Sequence, residues 1–192
     1  MSEALRAFVA VPLPEGVRAA LAAEQQTLRD ELPGARWTRP AGIHLTLHFL
    51  GDVAPDVIEA LGGALGEECA AVAPFELAVG GLGVFPGPRR PRVLWAGVAA
   101  PEGLQDLHRA AGVALRRCGL KPERRRFHPH LTLARFRSRL SRQGLSTLGR
   151  ILDQEGRGQA GRFRVEAVHL YRSELLPSGA RYTVLHEAPL GG

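Results

Sequence analysis

Lysine is nearly missing from this 192-residue chain: of its 25 basic residues only Lys121 is lysine, and the rest are arginine. Cysteine is scarce as well. Cys69 and Cys118 form no CxxC pair and no zinc spacing, and the expectation is two free thiols in a reducing cytoplasm. Long hydrophobic runs are absent; none approaches the roughly 18 residues that a membrane span requires. The opening MSEALRAFVAVPLPEG has no basic leader and no small-residue cleavage site, so it reads as mature protein. What is there, 45% hydrophobic and 23% charged residues, is ordinary globular composition. The length suits one domain or two small lobes sharing a core.

The positive charge is unevenly spread. Residues 116–142 hold ten basic residues against the single acid Glu123, a window of +9 in a chain whose net charge is +6. A solvated arginine face would account for the composition alone. Guanidinium also matches phosphate in a bidentate fork, so the window is equally a footprint for phosphate or RNA. Its position relative to chemistry-bearing residues decides between the two.

Hydrophobic patterning predicts a buried strand at 5–11, a helix over 14–32 opened by Pro14, and a strand at 43–50. Beyond a Gly51–Asp52 turn comes a helix over 55–73, then strands at 75–84 and 92–98 joined by the loop FPGPRRP. A helix over 102–118 ends at Gly119 and Pro122. A strand at 130–136, a helix at 141–152 and strands at 162–173 and 180–187 follow, the last two split by a Pro177-Ser178-Gly179 turn. Helix, short strand, helix, strand, strand thus describes residues 14–98 and again 102–187. Both copies carry HLTL at the same place, residues 44–47 and 130–133. The expected fold is α+β: one domain, 1–192, of two pseudo-symmetric lobes, each an antiparallel sheet with outer helices. The HLTL strands would face each other across a central cleft.

Alternate side chains of a strand share a face. His44, Thr46 and His48 then point one way, with Ile43, Leu45, Leu47 and Phe49 opposite. In the second copy His128, His130, Thr132 and Ala134 share a face. A pseudo-twofold would bring two imidazoles and two hydroxyls onto one cleft. Histidines on either side of a phosphorus suit in-line displacement: one takes a proton from the attacking oxygen, the other gives one to the leaving oxygen. Threonine hydroxyls can donate to the nonbridging oxygens. Arg135, three residues beyond Thr132, puts the basic window beside the second motif and favours phosphate.

Other residues carry weaker signals. The HxxxH spacing of His44 and His48 would suit zinc on a helix, but in a strand residues four apart lie roughly 13 Å apart. No metal is expected. His48-Phe-Leu-Gly-Asp52 matches an HxxxD pattern, which the Gly51–Asp52 turn argues against. His48 and His128 read as wall or surface residues, and His108, His169 and His186 as structural. Trp95 and Phe49 could stack a nucleobase, although apolar strands favour core packing for both. Tyr171 and Tyr182 are each flanked by arginine and within reach of an RNA backbone. No GxxxxGK follows Gly80, Gly81 and Gly83, so no nucleotide cofactor is expected.

In their contexts, the HxT motifs resemble those of the 2H phosphoesterases. The contexts are RAFVAVPLP, RWTRPAGIHLTLHFLGDV, PFELAVGGLGVFP, RVLWAGV, FHPHLTLARF and LYRSELLPSGARYTVL. The resemblance is to the RNA 2′,3′-cyclic phosphodiesterase group, also called bacterial-type 2′-5′ RNA ligases, and it spans nearly the whole chain. It implies a LigT-like fold and a metal-independent hydrolysis, without cofactor, of RNA 2′,3′-cyclic phosphate ends to a 2′-phosphate. It further implies His44 as proton donor to the leaving 3′ oxygen and His130 as the proton acceptor that activates water. Thr46, Thr132 and Arg135 would hold the phosphate. The expected partner is RNA ending in a 2′,3′-cyclic phosphate, with no membrane involved, and the expected enzyme is a cytoplasmic monomer. Ligation of such an end to a 5′-hydroxyl is the alternative activity. A noncatalytic RNA-binding module would leave the paired histidines unexplained.

Overall fold

The computed structural model describes residues 3–99, 101–123, 125–177 and 179–191. Met1 and Ser2 of the opening segment, Arg124 of the basic window and Ser178 of the expected turn lie outside the described residues. The first half of the chain forms β1 (Leu5–Val11), α1 (Glu15–Arg29), β2 (Ala35–Trp37), β3 (Leu45–Val53), α2 (Pro55–Cys69), β4 (Phe75–Phe85) and β5 (Val93–Val98). The second half forms α3 (Glu102–Arg117), β6 (His130–Phe136), α4 (Arg142–Leu152), β7 (Gly161–Val165), β8 (Ala167–Leu176) and β9 (Gly179–Pro189). Among the described residues, no helix is long and apolar enough to cross a membrane.

Local sequence explains the elements. Val17, Leu21, Gln25 and Leu28 are buried along one stripe of α1, whose first turn follows Pro14. Ser141 caps α4 by accepting a hydrogen bond from the Gly144 N–H at 3.1 Å. Strand β1, apolar from Ala7 to Val11, is buried because it lies between two neighbours in its sheet.

The strands form two antiparallel sheets, ordered β3-β1-β8-β9 and β2-β6-β5-β4-β7. This is the α+β, two-lobed architecture, but residues 14–98 and 102–187 do not each make a lobe. The sheet orders match when the repeat is drawn as β1-α1-β3-α2-β4 and β5-α3-β6-α4-β8. In each unit the first two strands pair in one sheet, and the third crosses into the other, beside the partner unit's first strand. The 162–173 segment is likewise two strands in different sheets, divided at Glu166.

Two buried polar side chains, Gln25 and His48, tie the lobes together. Gln25 Nε2 on α1 donates to Leu133 O of β6 at 2.9 Å and to Thr38 O at 2.8 Å. His48 Nε2 on β3 lies 2.9 Å from His108 O on α3. Each HLTL strand is therefore held from behind by a helix that follows the other sheet's central strand.

Candidate active site

His44 immediately precedes β3 and His130 opens β6, and both line one cleft of about 570 Å³ between the sheets. Thr46, Thr132 and Arg135 line it too. The five residues singled out from the two motifs thus come together.

The histidines are anchored alike. His44 Nδ1 lies 2.9 Å from Gly42 O, and His130 Nδ1 lies 2.7 Å from His128 O. A carbonyl accepts only, so Nδ1 carries the hydrogen in each ring and Nε2 is left for a ligand. Burial pushes the His44 imidazole down to about 4, with the Gly42 hydrogen bond opposing and the charge of nearby His130 adding to it. His130 is also held below its ordinary value, first by burial; its bond to His128 opposes this, while the charges of Arg135 and His128 add to it.

Simple alternation fails halfway along each HLTL strand. Pairing with β1 runs from Ala10↔Thr46 directly to Val9↔His48, and pairing with β5 runs from Trp95↔Thr132 to Leu94↔Ala134. Leu47 and Leu133 are the extra residues of two equivalent bulges, and a bulge shifts the side-chain phase by one. His48 consequently turns away from His44 and Thr46 and lies 2% exposed. Ala134 is buried as well, off the face expected for it. Phe49 and Arg135 take the vacated positions and line the cleft. Phe49 is 51% exposed, not packed in the core, and Arg6 lies 4.6 Å over its ring.

The Gly51–Asp52 pair makes no turn. Gly51, at φ +71°, sits at a second irregularity within β3, where glycine tolerates the left-handed conformation. His44 and His48, which line different pockets, do not converge on one ligand.

Sequence reading missed several parts of the site. Phe8 stacks on the His44 ring at 4.5 Å, and Tyr182 meets it edge-on at 5.0 Å. Phe85 meets His130 edge-on at 4.9 Å, with Trp95 behind at 6.4 Å. Trp95 fits because residue 83 is glycine, where any Cβ would strike the indole. These neighbours come from strands distant in sequence, so only the flanking arginines hinted at Tyr182. Tyr171 stacks on Phe8 and hydrogen-bonds His169, as a wall behind the site. His108 stacks between His48 and Phe127.

Arg36 of the short strand β2 stands directly opposite Arg135, and both line the cleft. Like charges facing across a ladder repel, an arrangement that an anion between them would relieve. The basic window divides here. Arg135 enters the cleft, whereas Arg117 is clasped by Glu67 and Glu68 of α2 at 2.7 Å each. Two arginines, two imidazole Nε2 edges and two threonines make a cradle for a phosphate diester.

Comparison with known proteins agrees with this chemistry. The family described as the 2′-5′ RNA ligase superfamily matches residues 17–175. The RNA 2′,3′-cyclic phosphodiesterase of Methanothermobacter thermautotrophicus is 37% identical over 180 residues, 93% of this chain and 95% of that protein. A crystal structure of a Thermus thermophilus protein matches with a TM-score of 0.79 at 32% identity, covering 98% of this chain and 99% of that one. E. coli LigT, crystallised with 3′-AMP, matches with a TM-score of 0.77 at 27% identity, covering 99% of this chain and 100% of that one.

Proposed function

The chain belongs to the 2′-5′ RNA ligase superfamily, and from that premise we propose that its cleft hydrolyses RNA 2′,3′-cyclic phosphate ends to 2′-phosphates. The observation that carries this reading is the pair of imidazoles, each with Nδ1 spent on a backbone carbonyl and Nε2 left for the cleft, beside Arg36 and Arg135. His130 Nε2 accepts a proton from water as the water oxygen bonds to phosphorus. The bond from phosphorus to the 3′ oxygen breaks, and His44 Nε2–H gives that oxygen its proton. The product is a 2′-phosphate with a 3′-hydroxyl, and solvent resets both rings. Thr46, Thr132 and Arg135 hold the nonbridging oxygens, whose charge needs donors in a half-buried site. The imidazoles themselves move both protons, so turnover is expected to be metal-independent. We place this work in the cytoplasm, performed by a monomer.

The division of labour follows the family resemblance, and the electrostatics of the two rings adds one contrast to it. When the cleft is empty, burial pushes both rings toward the neutral form. A bound phosphate anion favours the protonated imidazole. At His130 the fixed charge of Arg135 opposes that recovery; His44 has no such arginine among the causes of its shift. The larger push falls on His44, so electrostatics alone does not order the two rings; the roles of His44 as acid and His130 as base are carried over from the family resemblance.

Trp37 favours a second reading. It lines the cleft on the lobe of His130, with Arg29 5.5 Å from its ring centroid. A nucleoside stacked there would bring a 5′-hydroxyl in the place of water, giving a 2′-5′ linkage. An oligonucleotide ending in a cyclic phosphate, incubated with EDTA and analysed by phosphorus NMR, tests the main reading. A 2′-phosphate end is expected. A 3′-phosphate would reverse the seating of the substrate, and no turnover would refute the assignment.

A further inference from the structure

A second cavity, of about 480 Å³, lies between α3 and the 122–129 segment that leads into β6. It belongs to neither motif. Arg109, Arg116 and Arg126 line it, against one lining carboxylate, that of Glu123. Arg109 pairs with Asp106 at 2.7 Å. Arg116 and Arg126 are exposed, and neither has a carboxylate partner among the described residues. This is unlike Arg117, one residue away, which is fully engaged with α2. The groove wall is a run of stacked rings: His48 on His108 at 4.3 Å, and His108 on Phe127 at 4.1 Å. Free guanidinium groups beside a ring stack are the ingredients of a single-stranded nucleic-acid groove.

The groove meets the cleft where the 126–129 segment enters β6: Pro129 lines the groove and His130 the cleft. Neighbouring Cα atoms are about 3.8 Å apart, so there adjacent residues carry the two linings. At β3 the two linings lie on opposite faces of the strand, His48 in the groove and Phe49 in the cleft. We propose that this groove is an upstream RNA subsite, in which Arg116 and Arg126 hold backbone phosphates of the strand whose cyclic end occupies the cleft. The proposal rests on the phosphodiesterase reading of the cleft and makes the substrate an oligonucleotide end instead of a lone cyclic nucleotide.

The test compares wild type with the Arg116→Ala, Arg126→Ala double variant on two substrates, an oligonucleotide ending in a 2′,3′-cyclic phosphate and a mononucleoside 2′,3′-cyclic phosphate. Two exposed charge pairs predict a loss of about tenfold in kcat/KM on the oligonucleotide, with the mononucleotide unchanged. The slope of log affinity against log salt for the oligonucleotide falls in magnitude by about 1.4, at about 0.7 per phosphate contact. Equal losses on both substrates, or none on either, overturn the proposal. Inorganic phosphate provides a further arm. If it alters mononucleotide turnover in wild type but not in the double variant, the groove takes a separate phosphate ligand and the upstream assignment falls. Should wild type turn over neither substrate, the phosphodiesterase reading fails instead. Binding of a 3′-phosphate oligonucleotide to both proteins still reads the groove in that case, and equal affinities overturn it.

Discussion

The two HLTL strands are equal up to the bulge and unequal after it. Before it, each supplies a histidine anchored on the carbonyl two residues earlier, then a threonine. After it, the first strand places Phe49 at the cleft and the second places Arg135. The surroundings differ in the same sense: Phe8 and Tyr182 enclose His44, while His130 meets Phe85 and the charge of Arg135. On the proposed mechanism, a duplicated scaffold thus supplies two like proton carriers. One substituted position, helped by the packing around it, makes their surroundings unequal.

The symmetric part of this comparison carries the largest expected effects. His44→Ala and His130→Ala should each cost ~10²–10⁴-fold in kcat, the range for a general acid or base. A much milder loss at one of them would mean that a single histidine does the chemistry. Thr46→Ala and Thr132→Ala should each lose on the order of 10²-fold, as for one oxyanion donor. A threonine that matters on one strand alone would show that the phosphate is not centred between the lobes.

The asymmetric part is sharpened by Arg135→Ala set against Arg117→Ala. The first should cost on the order of 10²-fold in kcat/KM, and the second should leave turnover intact because its side chain is held by Glu67 and Glu68. Gln25→Ala tests the tether behind β6. Leaving the Leu133 carbonyl without that donor should lower stability by about 1–3 kcal/mol in a denaturant titration. The subtlest effect is on pH. The proposed mechanism requires His44 protonated and His130 neutral. Both are held below about 6.5 in the empty cleft, so kcat/KM should peak on the acid side of that value. Bound phosphate raises His44, so the descending limb of kcat should lie at higher pH than that of kcat/KM. Coincident limbs would show that bound phosphate does not raise the acid.

The convergence of the candidate site residues was legible because its signals are local. Two copies of H-x-T sit in short strands, and Arg135 lies a few residues from one of them. What escaped the reading depends on partners. The extra residues at Leu47 and Leu133 exist only through pairing with β1 and β5, so nothing in HLTLHF or HLTLAR alone announces that His48 turns inward and Phe49 outward. Strand β2 is three residues long and held at the edge of its sheet by β6, too short for a periodicity to register. The passage from β7 to β8 stayed hidden because buried residues continue across it, with Val165 and Val168 both in the core. Lobe membership was misread for the same reason: which sheet a strand joins is written in its neighbours.

The exchange of β4 and β8 between the sheets also governs the order in which the molecule can be made. Strand β1 finds β3 early, but its other neighbour, β8, begins only at Ala167. At a synthesis rate of about 5–20 residues per second, the stretch from the end of β3 to the start of β8 leaves β1 with one apolar edge unpaired for roughly 6–23 s. Each sheet is completed by a strand in the last quarter of the chain, β7 in one and β9 in the other. Long-range pairing of this kind slows folding. A nascent chain stalled before residue 167 therefore presents the bare edge of its most deeply buried strand, a template for unwanted pairing.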